Sequence, residues 1–272
     1  MYEQILYDVA DPIATITLNR PKALNAWTFR MGAEVRHALA QAENDERVVA
    51  IVLTGAGRGF CAGADMRELE GITEGRADRE TPQELEVEPG DPELADFRGT
   101  YTFVLSIRKP VIAAINGPVA GMAVPISLAC DLRFASDRAI FTTAFSQRGL
   151  IAEWGVSWLL GRLVGPAHAL DLLLSSRRVD AAEAERIGLV NRVVPHDELA
   201  SFVRGYAEEL AATCSPASMA IMKRQIYQDL SESLGPAERE AVRQMLESFK
   251  RPDFREGVTS FLEKRPPAFE RL

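Results

Sequence analysis

The chain has 272 residues, of which 47% are hydrophobic and 26% are charged, so it can bury one large core, with or without a smaller appendage. No apolar run approaches the roughly 20 residues of a membrane-spanning helix, and the first residues lack the pattern of a secretory signal, so we expect no membrane partner. The net charge of −8, the pI near 5.1 and the lack of a basic stripe argue against nucleic acid as a partner.

The first half of the chain alternates predicted strands with a predicted helix. Residues 13–18 alternate apolar with polar or small side chains, which indicates a strand. Residues 31–39 carry apolar side chains at helical spacing, which predicts an amphipathic helix. Residues 48–54 and 111–115 are apolar, partly β-branched runs typical of buried strands. This alternation predicts an α/β fold.

The second half begins after an unusual segment. Residues 71–99 are strongly acidic and contain three prolines, and the sequence Thr81-Pro82-Gln83-Glu84 resembles a capping box that would start a short helix. Such an insertion is either a solvated loop or a segment that covers a substrate. From about residue 156 onward the chain is predicted to be mostly helical, with helix starts at Asp180, Ser215 and Gly235.

The three cysteines, Cys61, Cys130 and Cys214, are scattered and lack the spacing of metal ligands. They predict reduced thiols in a cytoplasmic protein.

Two turns rich in small residues, 55–66 and 116–123, follow predicted strands. Small residues let the backbone approach a ligand closely, and free N–H groups from two such turns can converge on one oxygen that gains negative charge. A dinucleotide fingerprint counted from Gly55 would place its third glycine on Phe60, so it fails. No phosphate-binding loop and no nucleophile elbow is present, and the three histidines have no evident catalytic partner.

Six segments, in order along nearly the whole chain, resemble landmarks of the enoyl-CoA hydratase/isomerase (crotonase) superfamily: 18–26, 60–66, 109–117, 130–133, 181–190 and 261–265. The resemblance implies an α/β fold in which residues 1–195 form a crotonase-like spiral of ββα units. It also implies that residues 196–272 form a helical C-terminal region for trimerisation, in a homotrimer or a hexamer.

The resemblance further implies an acyl-CoA substrate, with coenzyme A as part of the substrate and no tightly bound cofactor or metal. The thioester oxygen would lie between the backbone N–H groups of Ala64 and Met122. Because these donors are backbone atoms, Met122 can stand where relatives often have glycine, provided that its side chain points away. Further coenzyme A contacts would come from Ala62, Ala64 and Met66 at the adenine, and from Lys22 with Lys264 of a neighbouring chain at the phosphates. Ordinary surface charge is the alternative for both lysines.

The chain departs from the pattern of the family's hydratases, which resemble one another in two catalytic glutamates. The corresponding positions here are Pro125 and Phe145, and neither side chain can transfer a proton. Proline is tolerable at position 125 if it falls in the first turn of a helix. Hydration by two glutamates is therefore doubtful.

A carboxylate does occur at Glu153, a place that resembles the position of a working aspartate in dienoyl-CoA isomerases and chlorobenzoyl-CoA dehalogenases. Its apolar neighbours predict a partly desolvated group, which suits proton transfer near neutral pH. Glu68 and Asp65 are weaker candidates, and Asp65 is expected to cap a helix. Phe145 and Trp154 are candidates for an acyl pocket, with ordinary core packing as the alternative.

One carboxylate beside an oxyanion hole favours an enoyl-CoA isomerase-like enzyme with Glu153 as acid and base. Three alternatives stay open. They are an enoyl-CoA hydratase with a non-standard site, a thioester hydrolase or dehalogenase in which Glu153 is the nucleophile, and an acyl-CoA binding protein without catalysis.

Overall fold

The computed structural model describes residues 2–75 and 82–272, and these form an α/β body with two sheets. The larger sheet has the order β1-β2-β3-β4-β6-β9, and apart from the antiparallel pair β1–β2 its neighbours are parallel. Its strands are β1 (Ile5–Ala10), β2 (Ile13–Leu18), β3 (Ala50–Gly55), β4 (Val111–Ile115), β6 (Leu132–Ser136) and β9 (Arg192–Val194). The smaller sheet contains β5 (Val119–Ala120), β7 (Ile140–Thr142) and β8 (Val179–Asp180), in the order β5-β7-β8. The predicted strands at 13–18, 48–54 and 111–115 are confirmed as β2, β3 and β4.

The described α-helices are α1 (Phe29–Asn44), α2 (Met66–Thr73), α3 (Ala123–Ala129), α4 (Val156–Ser175), α5 (Ala181–Arg186), α6 (Leu199–Thr213), α7 (Pro216–Asp229), α8 (Leu234–Ser248) and α9 (Pro252–Glu263). The amphipathic helix predicted at 31–39 lies inside α1. Asp180 and Ser215 cap α5 and α7 as predicted, whereas α8 begins one residue before Gly235. None of the helices in the described chain is long and apolar enough to span a membrane.

The acidic stretch 71–99 packs against the body over much of its described part. Its short helix is a 3-10 helix at Gln83–Leu85, followed by a second at Pro92–Phe97, while Thr81 of the expected capping box lies outside the described residues. Leu85 and Leu94 are buried. This stretch therefore contributes to the packed structure and is more than a solvated loop.

Both faces of the larger sheet are covered. On one face the side chains pack into the main core with α1 and α3. On the other, α6 places Leu199, Val203 and Ala207 against residues of the sheet such as Val52 and Phe134. Helix α6 thus packs on the same sheet as α1 and α3. The proposed division between residues 1–195 and 196–272 stays a prediction.

Cys61 and Cys130 are free and buried. Burial raises the pKa of each thiol to about 12, so both are protonated and unreactive near neutral pH.

The carboxylate of Asp131 fastens α7 to the core. It accepts hydrogen bonds from the Val111 amide at 2.7 Å, from Nζ of Lys223 at 2.8 Å and from the hydroxyl of Tyr227 at 2.8 Å. Lys223 also donates to the carbonyl oxygen of Val104 at 3.2 Å. Burial, together with the neighbouring Asp131, raises the pKa of Tyr227, so its phenol stays a donor.

We expect Asp131→Ala to lower the free energy of unfolding by about 3–5 kcal/mol, because it leaves the largely buried ammonium of Lys223 without its counter-charge. Urea unfolding followed by circular dichroism measures this. The control is Asp171→Ala, which breaks an exposed ion pair with Arg177 and should cost far less, since water screens that pair. Equal losses for the two variants would contradict the proposed role of Asp131.

Candidate active site

The two turns rich in small residues contact each other directly. The Cys61 amide donates to the carbonyl oxygen of Pro118 at 3.0 Å, and the Ala120 amide donates to that of Cys61 at 3.1 Å. Gly63 has a φ of +103°, and a Cβ added there would lie 3.0 Å from the Ala120 oxygen and 3.8 Å from the Met122 nitrogen. Glycine is therefore required where the turns meet.

The amides of Ala64 and Met122 are unpaired beside this contact. Ala64 lies in a bridge with Trp27 in which the Trp27 amide donates to Gly63 and the Asp65 amide donates to Trp27, so the Ala64 amide is not used. Met122 caps α3 with an ordinary φ of −58°, and its half-buried side chain packs against the core. Within residues 2–75 and 82–272, neither the Ala64 amide nor the Met122 amide donates a hydrogen bond. Two such donors on touching turns can bind one oxygen.

Residues of the segment 18–26 hold the first turn in place. Asn25 is fully buried with a φ of +56°, and its Nδ2 donates to the carbonyl oxygens of Ala56 at 2.9 Å and Gly59 at 2.8 Å. Arg20 forms an ion pair with Asp65 at 2.7 Å. Asp65 also caps α2, as expected, by accepting from the Arg67 amide.

The ionisation of Asp65 follows from these contacts. Burial alone would raise its pKa, but the hydrogen bonds from Arg20 and from the Arg67 amide lower it below its ordinary value. Asp65 is thus charged and occupied, which makes it a poor proton donor.

A cavity of about 830 Å³, here called the site cavity, opens beside the two turns. It brings together most of the residues that the sequence singled out, namely Ala62, Ala64, Asp65, Met66, Glu68, Met122, Phe145, Glu153 and Trp154. The two lysines predicted at the coenzyme A phosphates do not line it. Lys22 is exposed on a 3-10 helix at Pro21–Ala23, and Lys264 is exposed at the end of α9, so their roles stay predictions.

The two positions at which the sequence resemblance implies hydratase glutamates differ in placement. Pro125 is the third residue of α3 and is buried, and it does not line the site cavity. Its missing N–H is no loss, because the first amides of a helix have no intrahelical acceptor. Phe145 is buried and does line the cavity. Neither position therefore presents a carboxylate to the site.

Glu153 reaches the cavity from the turn before α4. The Val156 amide donates to its carbonyl oxygen at 3.0 Å, and the next two residues, Trp154 and Gly155, have left-handed φ angles of +55° and +79°. The Glu153 side chain is half-buried, as expected from its apolar neighbours. In the described part of the chain its carboxylate has no hydrogen-bond or ion-pair partner, so it is available to a ligand.

Glu68 is a second carboxylate of the cavity, but it is already engaged. Both of its oxygens accept from the Phe29 amide, at 3.0 and 3.2 Å. Burial raises the pKa of Glu68 above its ordinary value. Glu68 lies on α2 and accepts from the first residue of α1, so it supports the N-terminus of α1.

Tyr101 and Arg148 are among the lining residues that the sequence analysis did not single out. Tyr101 is buried and meets Trp154 edge-on, with ring centroids 5.0 Å apart. Burial, and then the nearby carboxylates of Glu68 and Glu153, raise the pKa of Tyr101, so its phenol is neutral. Arg148 lines the cavity and donates to the carbonyl oxygen of Ala144 at 3.0 Å. Neither residue belongs to a local motif that could have signalled it. No group of three metal-ligating side chains occurs among the described residues.

Comparison with known proteins decides the family. The sequence model of the enoyl-CoA hydratase/isomerase family matches residues 8–271. The chain belongs to the enoyl-CoA hydratase/isomerase family. The expected family is thereby confirmed, and it is a family of enzymes.

Individual relatives match this chain over nearly its whole length. A probable enoyl-CoA hydratase of Rhizobium meliloti is 37% identical over 269 residues, which cover 99% of this chain and 98% of the relative. The crystal structure of a putative enoyl-CoA hydratase/isomerase family protein from Hyphomonas neptunium has a TM-score of 0.85 at 32% identity, covering 99% and 98% of the two chains. That of an enoyl-CoA hydratase from Bacillus anthracis has a TM-score of 0.86 at 29% identity, covering 98% and 99%. The predicted fold class is confirmed.

We expect Gly63→Ala to weaken acyl-CoA binding at least tenfold, because its Cβ would separate the two turns that carry the free amides. The strained φ should also lower the free energy of unfolding by about 1–3 kcal/mol. Calorimetric titration and urea unfolding measure the two effects. The control is Gly188→Ala, which has a φ of +78° but whose nearest neighbour lies 3.6 Å away, remote from the cavity. It should lose stability and keep its affinity, and a matching loss of affinity there would contradict the explanation.

Proposed function

We propose that this protein is an enoyl-CoA isomerase-like enzyme in which the amides of Ala64 and Met122 stabilise a thioester enolate and Glu153 moves the proton. One observation carries the proposal. In the site cavity the unengaged carboxylate of Glu153 accompanies two free amides, while Phe145 and the buried Pro125 occupy the positions of the hydratase glutamates.

The reaction needs only these groups. The Glu153 carboxylate takes a proton from the carbon next to the thioester of a 3-enoyl-CoA, and the bond's electron pair moves into the thioester, whose oxygen becomes negative. The two amides stabilise that oxygen, and one such donor is typically worth roughly 3–4 kcal/mol. The electron pair then moves back from the oxygen through the acyl carbons, and protonated Glu153 delivers its proton to the fourth carbon of the acyl group. The product is the conjugated 2-enoyl-CoA, and no water is consumed.

The rest of the substrate fits the same proposal. Ala62 and Met66 are exposed on the rim of the site cavity, where a flat adenine ring can lie against small or apolar side chains. Lys22 and the Lys264 of a neighbouring subunit would bind the phosphates of coenzyme A. Coenzyme A enters as part of the substrate, and the chemistry described needs no tightly bound cofactor.

Hydration is the second candidate. Relatives such as the Rhizobium meliloti protein are named probable enoyl-CoA hydratases, and Glu68 gives the cavity a second carboxylate whose pKa burial raises. Glu153 would then activate water and Glu68 would donate a proton. The hydrogen bonds from the Phe29 amide to both Glu68 oxygens count against this role. Nucleophilic attack by Glu153 on the substrate and binding without turnover are two further possibilities. The products formed from the enoyl-CoA thioesters distinguish them.

We expect purified protein to convert 3-hexenoyl-CoA to its conjugated isomer, seen as rising ultraviolet absorbance of the conjugated thioester. Glu153→Gln should abolish this conversion while leaving the affinity for hexanoyl-CoA unchanged, because the amide keeps the shape of the carboxylate and cannot take a proton. Glu68→Gln, the matched carboxylate of the same cavity, should retain activity within tenfold.

Other results would overturn the assignment. Equal activity in Glu153→Gln and the wild type would remove Glu153 from the mechanism. Appearance of a 3-hydroxyacyl-CoA from the conjugated substrate, lost in both variants, would establish hydration. Free coenzyme A as the product would establish hydrolysis. Tight binding without turnover of any thioester would leave a binding protein.

We also propose a homotrimer or a hexamer built from these trimers. The C-terminal helices expose large apolar side chains that a lone chain would leave in water. They include Leu234 and Phe249 on or beside α8 and Phe254, Phe261 and Leu262 on α9. Lys264 follows directly on this surface, so the same contact would bring it to a neighbouring subunit.

We expect light scattering to give the mass of a trimer or of a multiple of three chains for the wild type. Phe261→Asp should reduce this mass to that of one chain, because a charge would be buried at the subunit contact. The control Arg255→Asp, at an exposed polar position of α9, should keep the wild-type mass. A monomeric wild type would contradict the proposal.

A further inference from the structure

A second cavity of about 900 Å³, here called the distal cavity, lies next to the site cavity. It is formed where residues 93–105 and the start of α4 face the end of α7 and the beginning of α8. Its lining is mixed, and the apolar part includes Leu94, Phe97, Leu105, Trp158 and Leu159. Phe97 and Trp158 meet edge-on with centroids 6.2 Å apart, which makes a continuous aromatic surface.

Only Tyr101 and Trp154 line both cavities within the described chain. Their rings touch edge-on at a centroid distance of 5.0 Å and an interplanar angle of 81°. Tyr101 is fixed, because it is 8% exposed and also packs edge-on against Trp27 at 5.8 Å. Trp154 is 45% exposed, so its indole is the less confined member of the pair.

The backbone conformation places Trp154 at the boundary between the two cavities. The left-handed turn at Trp154 and Gly155 brings the chain against the segment after Tyr101, where a Cβ on Gly155 would lie 3.0 Å from Cγ2 of Thr102. Glu153 therefore faces the site cavity alone, while the next side chain, Trp154, stands at the boundary. The proposed proton carrier and the boundary residue are consecutive in the sequence.

We propose that Tyr101 and Trp154 form a gate through which the tail of a long acyl chain passes from the site cavity into the distal cavity. This inference rests on the proposed function and names its substrate class, long-chain enoyl-CoA thioesters. A short acyl group stays within the site cavity, whereas a long one displaces the Trp154 indole and lies along the apolar part of the distal cavity's lining.

Charge decides which end of the substrate enters the distal cavity. Five carboxylates belong to its lining: Glu93, Asp96, Asp229, Glu232 and Glu240. These carboxylates would repel the phosphates of coenzyme A, so the nucleotide end is excluded. An uncharged hydrocarbon tail is not repelled by them, and against the apolar part of the lining it gains roughly fourfold in affinity for each methylene group that leaves water.

Filling the distal cavity tests the proposal. Ala237 on α8 lines this cavity and not the site cavity. We expect Ala237→Trp to lower kcat/KM for 3-tetradecenoyl-CoA at least tenfold, while kcat/KM for 3-hexenoyl-CoA stays within twofold of the wild type. The matched control is Ala241→Trp, on the same helix but exposed and outside the cavity, which should change neither value. Ala95→Trp fills the cavity from the opposite wall and should reproduce the selective loss.

The gate and the proposed function fail in different ways. If neither thioester is turned over, the isomerase proposal fails, and the affinities for hexanoyl-CoA and tetradecanoyl-CoA still test the gate by calorimetry. A selective loss of tetradecanoyl-CoA affinity in Ala237→Trp and Ala95→Trp supports it. If both variants keep the wild-type affinity for long and short thioesters, or lose affinity for both equally, the distal cavity does not hold the acyl tail.

Discussion

The contact between the two turns is the constraint on which the site depends. The bridge between Cys61 and the strand after Pro118 uses the amides of Cys61 and Ala120, and the bridge at Trp27 uses those of Trp27 and Asp65. The amides of Ala64 and Met122 are left over. An unpaired backbone donor is costly unless water or a ligand accepts from it, and under the proposed function the acceptor would be the thioester oxygen. Gly63 makes the approach possible, and Asn25 and Arg20 keep the first turn in position.

Under the proposed function, the donors to the thioester oxygen are backbone groups and do not depend on the identity of the side chains. Methionine at position 122 presents the same amide that any residue would, because it sits in an ordinary helical conformation with its side chain on the core. Proton transfer, in contrast, needs a particular side chain in a particular place. Pro125 is buried and Phe145 is apolar, so under the proposed function the proton transfer would move to the turn before α4, where Glu153 and Trp154 are consecutive. One turn would thus set both the proton transfer and the boundary of the acyl pocket.

Local patterns predicted those parts of the molecule that local physics determines. Alternating and β-branched runs gave β2, β3 and β4, and the capping residues Asp180 and Ser215 marked their helices correctly. Glycine turns and family landmarks predicted which residues share a cavity. The sequence did not reveal Tyr101 or the distal cavity, because both arise from packing between segments far apart in the chain. The engagement of Glu68 by the Phe29 amide was hidden for the same reason.

The most direct test of the central claim is the infrared spectrum of a bound acyl-CoA labelled with carbon-13 at its thioester carbonyl. If the amides of Ala64 and Met122 both donate to this oxygen, they polarise the carbonyl, and its stretching frequency falls below the value in water. Gly63→Ala should return the frequency toward that value, since the donors no longer converge. A labelled carbonyl that absorbs at the same frequency in the wild-type complex as in water would contradict the account.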